Sequence, residues 1–578
     1  MNTFSSRIPN VSRQGGSRVG SLGLLVTVQV MAVVVCALAM PQLVHAATFT
    51  VNSTLDDGDV NPGDGVCESA DAPDVCTLRA AIEETNTLAG ADTIRLLADT
   101  YVLTLGELQI LDSLVLNGEN PNSTIIDGDN RFRVFFISNA GTNPNPIVNM
   151  DSVTIQNGSS GGGGGIVISQ GSTLALIRSI VKDNRASSDG GGIFNQGTLN
   201  INESTITGNG FPDRGGGGII NSGGTVTLEK STVDNNTATG GGFRGGGGIE
   251  NIGGTLTITN STISGNRLTG GVSSRGGGIR NAGGATLNLT NVTIANNSVA
   301  AGTGNVVRRG GGIFNEVNST VNLTNTIIGE NRAPISPDCF GTLSSGGFNL
   351  IGNTGLVPSP TPPPPPACVI VPPDAPGDQV GTESSPINPR LEPLAFNGGT
   401  TETHPLLPDS PAIDAGDNAE CPDTDQRLFT RPVDGDGDGT ATCDIGAFEF
   451  GAQPAQPEVV NDFVTFDRLE DTFQTTTDPT GCPAGFVGKF SFEARLTNIS
   501  SQALADLEVE VTTLTGGNLL QNAEGGPTGV GARLIVPQED GFADGLLRPG
   551  EMVDVPFVMC LQAIEPFDLV VDVLGTVP

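Results

Sequence analysis

The run Asp434-Gly435-Asp436-Gly437-Asp438-Gly439 places three carboxylates at alternate positions, with Gly at the sixth. Alternate carboxylates on a short loop converge on one hard cation, and the Gly permits a sharp turn. We therefore expect calcium on Asp434, Asp436, Asp438 and Asp444. Asp444 substitutes for the Glu of a helix–loop–helix hand, whose twelfth position holds Ile445. The ion would be structural, in a loop tied between Cys421 and Cys443. The competing reading is a solvated acidic turn. Asp56-Asp57-Gly58-Asp59 with Asp64 is a less complete acidic loop of the same kind.

General acid–base chemistry has few candidates. His404 is the only His beyond position 45. It is a possible base, or a packed His bonded to a turn. A glycosidase would need paired carboxylates on one face. A lyase would need an acidic calcium cluster with an Arg or Lys base. Glu203, Glu229, Asp234, Glu250, Glu316 and Glu330 do not recur at one repeat position; the equivalents of Glu203 are Lys230, Asn260, Asn291 and Asn325. No catalytic residue is assigned. Arg214, Arg244, Arg275 and Arg309 each precede a Gly run. They form either a cationic stripe for an anionic glycan or solvated side chains balanced by nearby acids.

These residues hang on a repeat. Units such as GGGIFNQGTLNINESTITGN and GGGGIENIGGTLTITNSTISGN recur between residues 152 and 331, ending at Asn184, Asn209, Asn236, Asn266, Asn297 and Asn331, with a partial unit ending at Asn157. Each unit holds three short stretches of period-two alternation and no helical half. That describes one coil of a right-handed parallel β-helix, in which inward Ile, Leu and Val stack into ladders. The terminal Asn is expected to take a left-handed turn and to bond its counterpart in the next coil. Asn195, Asn221, Asn251, Asn281 and Asn315 form a second file. The Gly runs allow positive φ at a tight corner. Unit length varies only between the terminal Asn and the next Gly run, so the loops emerge on one side.

The chain has 578 residues, 82 Gly, no Trp and a formal charge of −35. Such a surface repels nucleic acid and anionic headgroups. Residues 1–46 read as a signal peptide: Arg7, Arg13 and Arg18 precede an apolar run from Leu22 to Met40, and Val44-His45-Ala46 is a cleavage site. An uncleaved anchor is the alternative. No other segment could span a membrane, so no transmembrane segment is expected after cleavage. Export favours disulfides, and sequential pairing gives Cys67–Cys76, Cys339–Cys368, Cys421–Cys443 and Cys482–Cys560. The expected domains are an N-terminal cap at 47–100, the β-helix at 101–450 with a closing module at 388–450, a linker at 451–458, and an Ig-like β-sandwich at 459–578. Thr77 would cap a helix from Leu78 to Asn86 lying over the first coil. PSPTPPPPPA (358–367) reads as a stiff polyproline loop.

Cys76-Thr77-Leu78-Arg79-Ala80-Ala81, followed by Ile82, Glu83, Asn86 and GADTI, resembles the CSLREA domain. Asn349-Leu350-Ile351-Gly352, Asn397-Gly398-Gly399, His404, Ser410-Pro411-Ala412-Ile413-Asp414-Ala415-Gly416, Asp425-Gln426-Arg427 and Cys443-Asp444-Ile445-Gly446-Ala447-Phe448-Glu449 resemble the closing region of choice-of-anchor Q proteins. The two likenesses cover roughly residues 48–450. They imply a member of the pectate-lyase-like β-helix superfamily, secreted or surface-attached. That group usually ends in a sorting signal, and no such motif is seen here.

The sequence therefore predicts an all-β exported protein, a non-enzymatic adhesin or carbohydrate-binding scaffold. Its partners would be extracellular polysaccharide or a neighbouring cell surface, with no nucleic acid. A polysaccharide lyase or hydrolase is the alternative, and a purely structural stalk is a third reading.

Overall fold

The computed structural model describes residues 46–576 apart from 70–73, 89, 140–144, 212–214, 241–244, 271–274, 301–307, 356–367, 374, 455–457, 501, 524–527, 538–541, 543–544 and 566. The predicted signal peptide, the polyproline run, Arg214 and Arg244 lie outside the described residues. The chain forms two compact units, one over residues 45–455 and one over 456–578.

The first unit is a parallel β-solenoid. Its register repeats the sequence repeat. Ile166, Ile193, Ile219, Ile249, Ile279 and Ile313 pair in one file. Leu174, Leu199, Val226, Leu256, Leu287 and Val321 pair in a second. Val181, Ile206, Val233, Ile263, Ile294 and Ile328 pair in a third. All of these side chains are buried in one continuous core. Because side chains alternate along a strand, a one-residue slip would turn a whole file outward, and so the pattern fixes the register. A fourth, shorter sheet runs along the loop edge and includes Arg185–Asp189, Thr237–Gly240 and Arg267–Gly270.

The solenoid extends beyond the recognisable repeats. Thr48–Val51 pairs with Asp92–Leu96, which pairs with Leu114–Gly118. The segment expected to be a separate cap at 47–100 thus contributes strands to the solenoid sheet itself. The other end continues to Cys368–Val371 and Gln379–Val380. The helix spans Leu78–Thr85, with the Thr77 side chain accepting from the Ala80 amide. Leu78, Ala81 and Ile82 join the solenoid core.

The Gly runs do more than turn the chain. Gly216 has φ +79°, which a side chain would strain. Its neighbour Gly217 is needed for space: a Cβ there would lie 2.4 Å from the Gly247 carbonyl. Backbones of successive coils meet at this corner.

The 456–578 unit consists of two antiparallel sheets. One orders Glu458–Val459, Leu569–Thr576, Leu504–Leu514 and Arg533–Ile535, with Leu546–Leu547 beside Leu504–Leu514; the other orders Val464–Thr476, Gly488–Asn498, Met552–Leu561 and Leu519–Leu520. Alternating residues such as Leu496, Val509, Val511, Val555 and Phe557 share one core. All four expected cysteine pairs are bonded, Cys67–Cys76, Cys339–Cys368, Cys421–Cys443 and Cys482–Cys560.

Candidate functional site

Two amide ladders run the length of the repeats. Nδ2 of Asn184, Asn209, Asn236, Asn266 and Asn297 each donates to Oδ1 of the next file member at 3.0 Å, and Asn331 donates to Asp338 at the same distance. The other Nδ2 proton goes to a main-chain carbonyl, as from Asn209 to Val181 and from Asn236 to Ile206. In the second file Asn195, Asn221, Asn251 and Asn281 donate in the same sense, ending on Asn315. A third ladder escapes sequence reasoning: the amides of Ser179, Ser204 and Ser231 donate to Oγ of Ser204, Ser231 and Ser261.

One detail corrects the expectation. The ladder Asn does not take the left-handed turn; the preceding residue does. Asp183, Gly208, Asn235, Gly265, Asn296 and Glu330 have φ between 52° and 64°. Asn157 has φ 52° and belongs to this turning set, not to the ladder. A buried Asn must aim its amide along the file, so its outward neighbour makes the corner.

The 388–450 module is not an end plug. It folds back along the third strand file. Gln426 accepts from Thr262 Oγ1 (2.6 Å) and donates to Thr232 Oγ1 (2.9 Å) and Thr401 Oγ1 (2.8 Å). Asn260 donates to the Thr424 carbonyl, and the Asn325 side chain accepts from Asp417 N and donates to its carbonyl. Leu406, Ala412, Ile445 and Phe448 pack on Ile327 and Leu350. The Thr of each S-T-I stretch is thereby a docking surface.

His404 lies inside this seam and is 2% exposed. Its Nδ1 is 2.7 Å from the Glu392 carbonyl, and its Nε2 is 2.8 Å from Ser264 Oγ. A carbonyl only accepts, so Nδ1 carries the proton and Ser264 donates to Nε2. Burial holds its pKa below the usual histidine value. The pair joins module to solenoid, away from solvent.

The Asp-Gln-Arg and Cys-Asp-Ile-Gly-Ala-Phe-Glu motifs meet in one buried network. Asp425 accepts from Arg427 Nε (2.8 Å) and Nη2 (2.6 Å), and from the amides of Arg427, Phe429 and Glu449. The Arg427 guanidinium lies between the rings of Phe429 and Phe448, 4.3 and 3.6 Å from their centroids. Arg431 pairs with Glu449 at 3.3 Å. Asp444 accepts from the amides of Asp414 and Phe450. Burial, with Glu449 adjacent, pushes its pKa up to about 8.

Asp444 is therefore turned into the module core and away from the acidic loop. The carboxylates that meet are Asp414, Asp434 and Asp436, whose oxygens lie within 4.8 Å of one another. Asp438 is outside that group and accepts from the Thr440 amide. Asp434 accepts from the amides of Gly437 and Gly439, and Asp436 from that of Asp438. Asp414 was legible only as part of the Ser-Pro-Ala-Ile-Asp-Ala-Gly motif. In the N-terminal acidic loop, Asp56 pairs with Arg79 at 2.7 Å, while Asp59 accepts from Asn61 and Glu68 amides and Asp64 from that of Val66. Asp57 takes the Ser69 hydroxyl. These carboxylates serve the fold around the helix.

On the loop edge, Arg275 and Arg309 lie in register. Arg275 reaches Glu316 at 3.5 Å. The fully buried Arg280 pairs with Glu250 and, at 3.3 Å, with Glu316. Glu250 and Arg280 share a register position, the middle residue of Ile-x-Asn. That correspondence was present in the sequence as an acid followed one repeat later by a base.

Comparison with known proteins adds one likeness. The chain is similar to the solved structure of the enzymatically active domain of bacteriophage CBA120 tailspike protein 4, at 10% identity and a TM-score of 0.18. The match covers 84% of this chain and 62% of that domain, so this chain spans less than two thirds of its length. No protein-family model and no curated protein matches the sequence. The class is defined by the strand register: a parallel β-solenoid protein with disulfides. No helix among the described residues is long and apolar enough to cross a membrane.

Proposed function

We propose that this chain is an exported, non-enzymatic β-helix scaffold that binds carbohydrate along its loop edge. The observation that carries the reading is the seam: the third face is occupied from Thr232 to Ile327 by the chain's own 388–450 module. His404, the one candidate base, is committed to Ser264 and Glu392 within it. What stays open is the loop edge, where length and charge vary. Four disulfides and the Arg-then-apolar N-terminus favour secretion or surface display.

The finer assignment follows the motifs. The helix at Leu78–Thr85 acts as the N-terminal cap, the winding is right-handed as parallel crossovers are, and the chain groups with CSLREA and choice-of-anchor Q proteins. The C-terminal unit is an Ig-like sandwich serving as a spacer or adhesion module. Asp414, Asp434 and Asp436 hold a structural calcium ion.

Incubating the full chain with a panel of anionic and neutral polysaccharides, with and without calcium, tests the function. Binding on a glycan array without product release is the expected result. Product release would establish the lyase or hydrolase alternative. Neither binding nor release would leave a structural stalk.

A further inference from the structure

The charges on the loop edge are unevenly matched. Glu250, Arg280, Glu316 and Arg275 form an alternating chain in which each acid faces a base. Arg309 stands beside that chain, one coil on from Arg275. It has no acidic partner among the described residues, and its Nε is buried without an acceptor. Its guanidinium lies 4.5 Å from the Phe340 centroid, and that of Arg275 lies 5.1 Å from Phe314. The two rings are themselves stacked, 5.0 Å apart and 5° from parallel. Each ring thus fixes one guanidinium, and the pair is held at the spacing of adjacent coils.

Two like charges at that spacing repel unless an anion joins them. Burial, and then Arg275, lower the Arg309 pKa, yet a guanidinium stays charged at neutral pH. The surrounding sequence supplies no counter-charge: residues 251–315 contain five Arg and no Asp or Glu, in a chain of net charge −35. A cationic spot this local is built for an anion from outside.

We propose that Arg275 and Arg309 form a seat for one oxyanion, a carboxylate or sulfate group, carried on a glycan. Planar guanidinium forks match such groups bidentately. A glycan fits better than nucleic acid because continuous phosphate charge is repelled by the strongly acidic remainder of the chain. A glycan with its anions spaced along a neutral backbone meets only the seat. The proposal rests on the scaffold reading above and names its ligand class.

The test uses the full chain, with polygalacturonate as the carboxylate source, dextran sulfate as the sulfate source, and dextran and duplex DNA as comparisons. At moderate salt the wild type is expected to bind one of the two anionic glycans. Arg309→Gln is expected to weaken that binding roughly tenfold, the scale of one charge-assisted hydrogen bond. Arg533→Gln, which removes a cation from the 456–578 unit, is expected to leave it unchanged. Unfolding midpoints confirm that each variant is folded, and Arg309→Lys, which keeps the charge but loses the fork, is expected to fall between. Unchanged binding by Arg309→Gln, or DNA bound as tightly as the glycans, overturns the seat. Binding of neutral glycans that is indifferent to Arg309 removes the seat and keeps the scaffold; no binding to any glycan removes both.

Discussion

Gln426 and Thr232 are 194 residues apart in sequence and 2.9 Å apart in space. The Gln side chain inserts between Thr232 and Thr262 of adjacent coils, and all three groups are buried. One amide thus clamps the returning module to the side of the solenoid.

Gln426→Leu should release that clamp. It leaves the Thr232 and Thr401 hydroxyls without the donor they receive, at a cost of about 2–4 kcal/mol. Limited proteolysis should then cut within 388–450 while the solenoid repeats stay protected. Unchanged protection of the module would show that its apolar contacts suffice.

Asn236 accepts from both the Asn209 amide and side chain and donates to Asn266 and Ile206. Asn236→Ala strands several buried groups at once, so a loss of about 3–5 kcal/mol is expected. Asn235→Gly, one residue earlier, changes only the turning position and should cost less than about 1 kcal/mol. Urea denaturation of the two variants checks the contrast. Equal losses would mean that turn and ladder are not separable.

Alkaline pH should loosen the solenoid unit. Burial raises Asp234 and Asp338 to about 6 and Asp444 to about 8, against an unfolded carboxyl near 3.9. A raised folded pKa gives stability that is complete below the unfolded value and is lost as pH rises through the folded one. The melting temperature of this unit should therefore decline from about pH 5 to about pH 9, and Asp444→Asn should flatten the upper part of that decline. A decline identical in the variant would assign it to other groups.

Calcium added to the full chain should release or absorb heat in a calorimeter, and Asp434→Asn should abolish the signal. No heat with the wild type would reduce the loop to a network of carboxylate-to-amide turns.

The solenoid was legible because its information is local and repeated. Ile193, Ile219 and Ile249 announce one file by recurrence alone, and the register follows from their alternation. The turning residue was harder. In Asn235-Asn236 and Asn296-Asn297 both neighbours are Asn, and either type tolerates the left-handed region. Only burial separates the residue that turns from the one that bonds. The path of the 388–450 module was not legible, because its partners lie far away in sequence and carry no reciprocal pattern. The alternating spacing of Asp434, Asp436 and Asp438 suggested one cluster, whereas Asp414 enters from another strand of the same module and Asp444 is held inside by the Asp414 and Phe450 amides.

The Asn ladder has a direction. Each side-chain amide donates toward the later coil, and the series stops at Asp338, whose carboxylate receives and passes nothing on. A duplicated repeat placed between Asn184 and Asn209 would find a donor below and an acceptor above, and would add one coil without disturbing either. The same insertion after Lys230 would shift Thr232, Thr262 and Thr293 out of step with Gln426, His404 and Ala447. The rod is therefore a ruler with a sliding end and a fixed end. Its reach can be set by copying repeats on the N-terminal side alone.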